Sequence, residues 1–280
     1  MTAPRETAAQ PEGRLDRPGA ELDWSSEGEG PLVVHAHGMF GSRASDDRWG
    51  LFDWAPLTAS GRRLVRYDAR GHGRSTGRPE PGDYRWPRLA DDLFAVLDHL
   101  QPTGPVDVAG ASMGTGTLLT AAVREPARFR RLVLMIPPTA WETRAAAAQG
   151  YLDGADAVER DGMPAFLAAM SGGTPPPVFA EAFALLSQED VAAVAAGPDV
   201  SETLLPSVLR GAAGSDLPDP QALAALPHPA LVLAWEGDPV HPVSTAERLA
   251  ELLPGAELHI SGTAAEVRGW AGRIAAFLAG

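Results

Sequence analysis

The sequence contains no cysteine, which excludes disulfides, thiolate zinc sites and cysteine nucleophiles. Positive charge is scarce: 23 basic against 36 acidic residues leave a net charge of −13. Phosphate backbones and anionic membrane surfaces repel such a chain, so neither nucleic acid nor a membrane is an expected partner. Long apolar runs are missing too. The longest, Leu132 to Ile136 and Ala230 to Trp235, have the length of strands and fall far short of the roughly 20 residues that a membrane helix needs. No basic segment leads into an apolar one near the first residue, so no secretory signal is read and a cytoplasmic location is expected. There is no His-x-x-His spacing and no carboxylate cluster to suggest a metal. A dinucleotide fingerprint is also lacking, because Gly71-His72-Gly73 runs on into Arg74 and Ser75 and does not open a helix. No cofactor and no metal are therefore expected, and the expected partner is a small molecule. The oligomeric state is not readable.

What is present is a regular alternation. Apolar residues make up 45% of the 280-residue chain, enough for a sizeable core. β-Branched or apolar runs at residues 31–36, 63–68, 106–109, 129–136, 230–235 and 257–260 read as strands. A weak hairpin around Pro18-Gly19 precedes them. Between the runs, Leu89, Leu93, Phe94, Val96, Leu97 and Leu100 mark one face of a helix over 86–100. Helices are also read over 112–123, 245–253 and 267–278. This order predicts an α/β fold: a mostly parallel twisted sheet of about eight strands with helices on both faces, and functional loops at the carboxyl ends of the strands. Residues 1–12 read as a disordered tail, and 13–138 with 226–280 as the core. The alanine-rich stretch 139–225, with helical patches and no convincing strand, reads as an inserted helical lid.

Gly110-Ala111-Ser112-Met113-Gly114 matches G-x-S-x-G between a strand and a helix. In that setting the serine stands on a strained turn beside the positive end of a helix, where a developing oxyanion is stabilised. With this motif in its context, the chain resembles the α/β-hydrolase superfamily from about residue 15 to its end. His37-Gly38-Met39-Phe40-Gly41 is similar to the H-G-x-x-G loop of that family. The resemblance implies that the Met39 and Met113 amides form an oxyanion hole. Residues 67–75 resemble the family's structural D-x-R-G-x-G-x-S turn. The segment Trp235 to Pro242 resembles the one that delivers the catalytic acid, here Asp238. The implied activity is acyl transfer from Ser112 to water.

The family places its histidine just past the last strand, where this chain has Gly262-Thr263-Ala264-Ala265-Glu266. A serine hydroxyl without a base is a poor nucleophile, so the vacant position at Thr263, Ala264 or Ala265 leaves four readings. Another histidine is recruited, with His241 the first candidate on the Asp238 loop, ahead of His37 and His72. A native histidine at 263–265 was replaced by design. The chemistry has diverged to one that needs no histidine, with a carboxylate such as Glu266 or Glu142 as base. Or the fold leaves enzyme chemistry altogether, and binds a small ligand or serves as an interaction module. Apart from the choice of base, Phe40 and Trp141 are read as pocket lining, with Arg144 as one cation near the lid entrance. A lid without lysine, beside methionines at the elbow, points to a small neutral or hydrophobic ester, lactone or thioester.

Overall fold

Strand Ala230–Trp235 shows in six residues how the sequence builds a layered molecule. Its side chains alternate between two separate apolar cores: Ala230, Val232 and Ala234 enter one, and Leu231, Leu233 and Trp235 enter the other. A strand buried on both faces must lie inside a sheet that is covered on both sides. The computed structural model, which describes residues 11–170 and 176–280, has that arrangement.

The sheet comprises β1 (Glu12–Arg17), β2 (Ala20–Glu27), β3 (Leu32–Ala36), β4 (Arg63–Tyr67), β5 (Val106–Ala111), β6 (Phe129–Met135), β7 (Ala230–Trp235) and β8 (Glu257–Ser261), in the spatial order β1-β2-β4-β3-β5-β6-β7-β8. The first two form a hairpin that joins β4 antiparallel, and all later pairings are parallel. Strand β1 begins inside the stretch read as a tail. Glu12 pairs with Ser25, and the Pro11 carbonyl accepts the Ser26 amide at 2.9 Å. The rest of that stretch lies outside the described residues.

Helices α1 (Arg43–Trp49) and α2 (Ala55–Ala59) follow β3. Helix α3 (Trp86–Leu100) precedes β5, and α4 (Met113–Arg124) follows it. The α3 stripe of Leu89, Leu93 and Leu97 packs with Leu118 of α4 in the first core. Between β6 and β7 come α5 (Arg144–Met170), α6 (Pro177–Phe183), α7 (Gln188–Ala195), α8 (Leu205–Ala213) and α9 (Pro220–Ala224). Gly162, with φ of 80°, breaks α5 two residues before Pro164, as a ring without an amide proton requires. Within this span the described residues form no sheet strand, only one isolated bridge from Val200 to His72.

Helix α10 (Val243–Leu252) joins β7 to β8. The run read as one last helix is two, α11 (Ala264–Arg268) and α12 (Trp270–Ala279), separated by Gly269. Val267, Trp270, Ile274 and Leu278 close the second core against Leu57 of α2. No helix among the described residues is long and apolar enough to cross a membrane.

Candidate active site

Parallel strands β3, β5, β6 and β7 end at the same sheet edge, and four loops meet there. The turn after β5 holds Ser112 at φ 51° and ψ −109°, a region that non-glycine residues rarely occupy. Packing enforces it. A Cβ at Gly110 would stand 2.5 Å from the Gly114 backbone, and one at Gly114 would stand 2.0 Å from the Ala36 carbonyl oxygen. Only glycine at both positions lets β5 turn into α4 this tightly. The Ser112 amide donates to the Met135 carbonyl at 3.0 Å, which ties the elbow to β6.

The Ser112 Oγ lies 2.8 Å from His241 Nε2, and His241 Nδ1 lies 2.7 Å from Asp238 Oδ2. A carboxylate can only accept, so the imidazole proton sits on Nδ1 and the Nε2 lone pair faces the serine hydroxyl. Both partners come from one loop. Asp238 Oδ1 accepts the Val240 amide at 2.9 Å, with the His241 amide at 3.4 Å, the turn that an aspartate side chain makes with its own following backbone. That turn leaves Oδ2 free to meet an imidazole three residues on. Gly237, at φ 77°, starts the loop, and the Thr139 amide donates to the Val240 carbonyl at 3.1 Å, which fastens the loop to the end of β6. Burial alone would raise the Asp238 carboxyl. The hydrogen bond and charge of His241 and the bonds from Trp235 and Val240 outweigh it, and hold it at about 2.

The two amides assigned to an oxyanion lie beside the serine. Met113 is the first residue of α4, so its N–H has no acceptor within the helix. Met39 follows Gly38, where a Cβ would be 3.6 Å from Ser112 Cβ. Buried histidines hold this loop from behind. His37 Nε2 accepts the Ala69 amide at 2.9 Å, so its proton is on Nδ1, donated to the Gly38 carbonyl at 2.7 Å. His72 lies between two carbonyls, Arg70 at 2.8 Å and Met39 at 2.6 Å. The turn carrying it is built on Asp68, which accepts the Arg43 and Arg74 amides at 2.9 and 3.0 Å, and on a bidentate Arg70–Asp92 pair at 2.6 and 2.7 Å.

Burial lowers His72 from its ordinary 6.5 to about 4, and it lowers His35 and His37 as well. Each therefore binds a proton more weakly folded than unfolded. They contribute to a stability that falls as the pH drops through the interval from 6.5 to 4. Asp46, raised by burial to about 7, opposes them over much of the same interval. Substituting glutamine for His72 removes one of these titrations. The melting temperature of the variant is expected to vary less steeply between pH 6.5 and 4 than that of the parent, by calorimetry. An unchanged slope would assign the titration elsewhere.

Phe40 lies edge-on to Phe166 with ring centroids 5.9 Å apart. Trp141 is half-buried and donates its indole N–H to the Pro218 carbonyl at 3.1 Å. Arg144, expected at the lid entrance, is instead buried. Its guanidinium donates to the Ser215 and Ala212 carbonyls at 2.8 and 2.5 Å and lies over the rings of Trp86 and Tyr151. Thr263 caps α11 by accepting the Glu266 amide, the Ala264 amide donates to Glu181 at 2.8 Å, and Glu266 accepts the Gly262 amide at 2.7 Å. Residues 262–266 are thus a capped helix start, and His259 sits within β8, paired with Leu233. Trp235, which donates its indole N–H to Asp238 Oδ2 at 3.0 Å, was not singled out as a site residue in the sequence. Its only signal there is an aromatic residue ending an apolar strand three places before the acid. Among the described residues no three His, Asp or Glu side chains are placed to hold a metal ion.

An eight-stranded, mostly parallel sheet with a glycine-flanked serine at its edge defines a class, and the chain belongs to it: the model of the alpha/beta hydrolase fold family matches residues 31–267. Among individual relatives, the 2-hydroxymuconate semialdehyde hydrolase of Pseudomonas sp. (strain CF600) is 27% identical over 260 residues, covering 87% of this chain and 83% of that protein. An sn-1-specific diacylglycerol lipase of Xenopus laevis is 36% identical over 104 residues, 37% of this chain. That match spans about a third of the lipase, 31%. Among solved structures, a hydrolase from Pseudomonas aeruginosa superposes with a TM-score of 0.80 at 25% identity, over 98% of this chain and 100% of that one. The enol-lactonase of Burkholderia xenovorans follows with a TM-score of 0.77 at 21% identity, over 96% and 100%, a likeness of fold.

Proposed function

We propose that the protein is a serine hydrolase that transfers the acyl group of a small neutral or hydrophobic ester, lactone or thioester to water. The observation that carries this reading is the unbroken hydrogen-bond chain Ser112 Oγ, His241 Nε2, His241 Nδ1, Asp238 Oδ2, at 2.8 and 2.7 Å. In the first step Ser112 Oγ bonds to the substrate carbonyl carbon while its proton passes to His241 Nε2. The Met39 and Met113 amides meet the negative charge that gathers on the carbonyl oxygen. Collapse breaks the bond to the leaving group, which takes the proton back from His241. Water then bonds to the acyl carbon as His241 Nε2 takes its proton, and collapse breaks the bond to Ser112 Oγ, which takes that proton back from His241 as the acid is released. Asp238 stays ionised throughout and keeps the imidazole in the reactive tautomer.

The charge pattern supports a neutral substrate. The three arginines between β6 and β7 are all occupied: Arg144 by carbonyls, Arg160 by Asp161, and Arg210 by Glu159 and Asp156. Each of them thus already has a carbonyl or carboxylate partner within the chain. Met39 and Met113, next to the elbow, belong to the first apolar core, and Phe40 packs against it. The relatives named a semialdehyde hydrolase and an enol-lactonase, together with a thioesterase domain of similar fold, fit the reaction class without selecting a substrate.

A fluorophosphonate probe tests the reading directly. The expected result is stoichiometric labelling of Ser112, located by peptide mass spectrometry, with turnover of a p-nitrophenyl ester lost in step with labelling. An unlabelled protein that binds esters tightly yet leaves them intact over hours would assign it a receptor role instead.

A further inference from the structure

We propose that Trp235 is a positioning residue for this site: its indole N–H, 3.0 Å from Asp238 Oδ2, holds in place the same carboxylate oxygen that faces His241. The inference rests on the serine hydrolase reading above and adds to it a residue outside the Ser112–His241–Asp238 chain.

The ring has no freedom to turn. Trp235 ends β7 at 2% exposure. Trp270 stacks on it at 5.8 Å with a 16° interplanar angle, and Phe179 of α6 meets it edge-on at 5.2 Å. Trp270 is itself fixed, by its indole bond to Ser261 Oγ at 2.9 Å and by Phe52, stacked at 5.9 Å and 18°. Three aromatic rings, from the loop after α1, from α12 and from β7, thus form a rigid column behind the carboxylate. On its other side Trp235 meets the His241 ring edge-on at 6.2 Å.

A buried indole commonly finds some acceptor, so the bond could serve the tryptophan alone. Two observations favour a role in the site. First, Trp24 and Trp54 are buried with no acceptor for their indole N–H among the described protein groups, so satisfying an indole is not automatic in this fold. Second, the acceptor is the oxygen that accepts the hydrogen bond from the imidazole Nδ1–H. The loop's own amide serves the other oxygen. Without the indole, Oδ2 would be held only by the imidazole, which it is meant to orient.

The consequence has a sign. An indole N–H bonded to Oδ2 draws off part of its negative charge, so the oxygen holds the imidazole proton less strongly. Removing the donor strengthens that hold, and a higher pH is then needed to free the base. His241 is the titratable group bonded to Asp238. On the packed elements, Glu181 of α6 accepts the Ala264 amide, while His259 of β8 and Arg273 of α12 are near each other. Glu236, beside Trp235, approaches Gly262. None of these four bonds to Asp238 among the described contacts.

Trp235→Phe keeps a stacking ring and deletes the donor. Its kcat on a p-nitrophenyl ester is expected to fall about tenfold with KM little changed. The acid limb of its kcat/KM profile should move up by about one pH unit, the scale of a hydrogen bond to a charged group. A limb that stays in place overturns the proposal, because lost packing lowers activity without moving it. Should the variant not fold, the parent protein decides. Its Trp235 indole ¹⁵N–¹H resonance is expected to shift with the midpoint of the acid limb, and a resonance constant through that range overturns the role. Fluorophosphonate labelling of the parent separates the two readings: label on Ser112 with an unmoved limb removes only Trp235, whereas no label removes the serine hydrolase reading itself.

Discussion

Substituting alanine for His241 is expected to lower kcat on a simple ester by roughly 10⁶-fold, the loss seen when a serine–histidine pair is broken, or about 8 kcal/mol of barrier. KM should hardly move, since the imidazole works on the serine proton and not on the bound ground state. The drop should be this deep because the alternatives are committed elsewhere. His37 uses both ring nitrogens on Ala69 and Gly38, and His72 is buried between two carbonyls. His259 lies within β8, Glu266 is engaged in capping α11, and Glu142 is exposed to solvent. Steady-state kinetics, with circular dichroism to verify folding, make the comparison. Activity within tenfold of the parent would mean that the base is some other group.

Ser112→Ala is expected to be as severe, and to abolish fluorophosphonate labelling as well. Position 112 has a positive φ, which alanine tolerates as poorly as serine does, so the fold should lose little beyond the hydroxyl. What survives should be small but not zero: two amides aimed at an oxyanion, together with binding, leave about 10³-fold over water when the nucleophile is gone. Substrate affinity should persist, measurable by titration into the inert variant. Ester turnover equal to that of the parent would remove Ser112 from the chemistry.

Much of the fold is legible because its signals are local. The apolar run at 230–235 gives β7 to the residue, and the stripe from Leu89 to Leu100 gives the extent of α3. The elbow is legible as a five-residue motif between a strand and a helix, and the clash at Gly110 is with that unit's own backbone, whereas the clash that demands glycine at 114 comes from the Ala36 carbonyl of β3. Boundaries were less legible. A run of apolar spacing from Val267 to Leu278 does not reveal that the chain breaks at Gly269, and polar, alanine-rich residues near the start do not reveal that Glu12 completes a hairpin. Arg144 reads in the sequence as a cation near the lid entrance, and its burial is not legible there because its partners are backbone carbonyls at 212 and 215, which no sequence pattern announces.

The residues themselves determined the alternating layers, the serine between its two glycines, and an acid on the loop after the seventh strand, because each of these signals lies within a few positions along the chain. Which histidine faces the serine is a different kind of fact. The distance from position 112 to position 241 is set by parallel strands ending at one edge and by an aspartate turn that swings the imidazole inward. The same holds for the aromatic column behind the carboxylate, assembled from Phe52, Trp235 and Trp270. Contacts between side chains so far apart along the chain exist only once the cores on both faces of the sheet have packed.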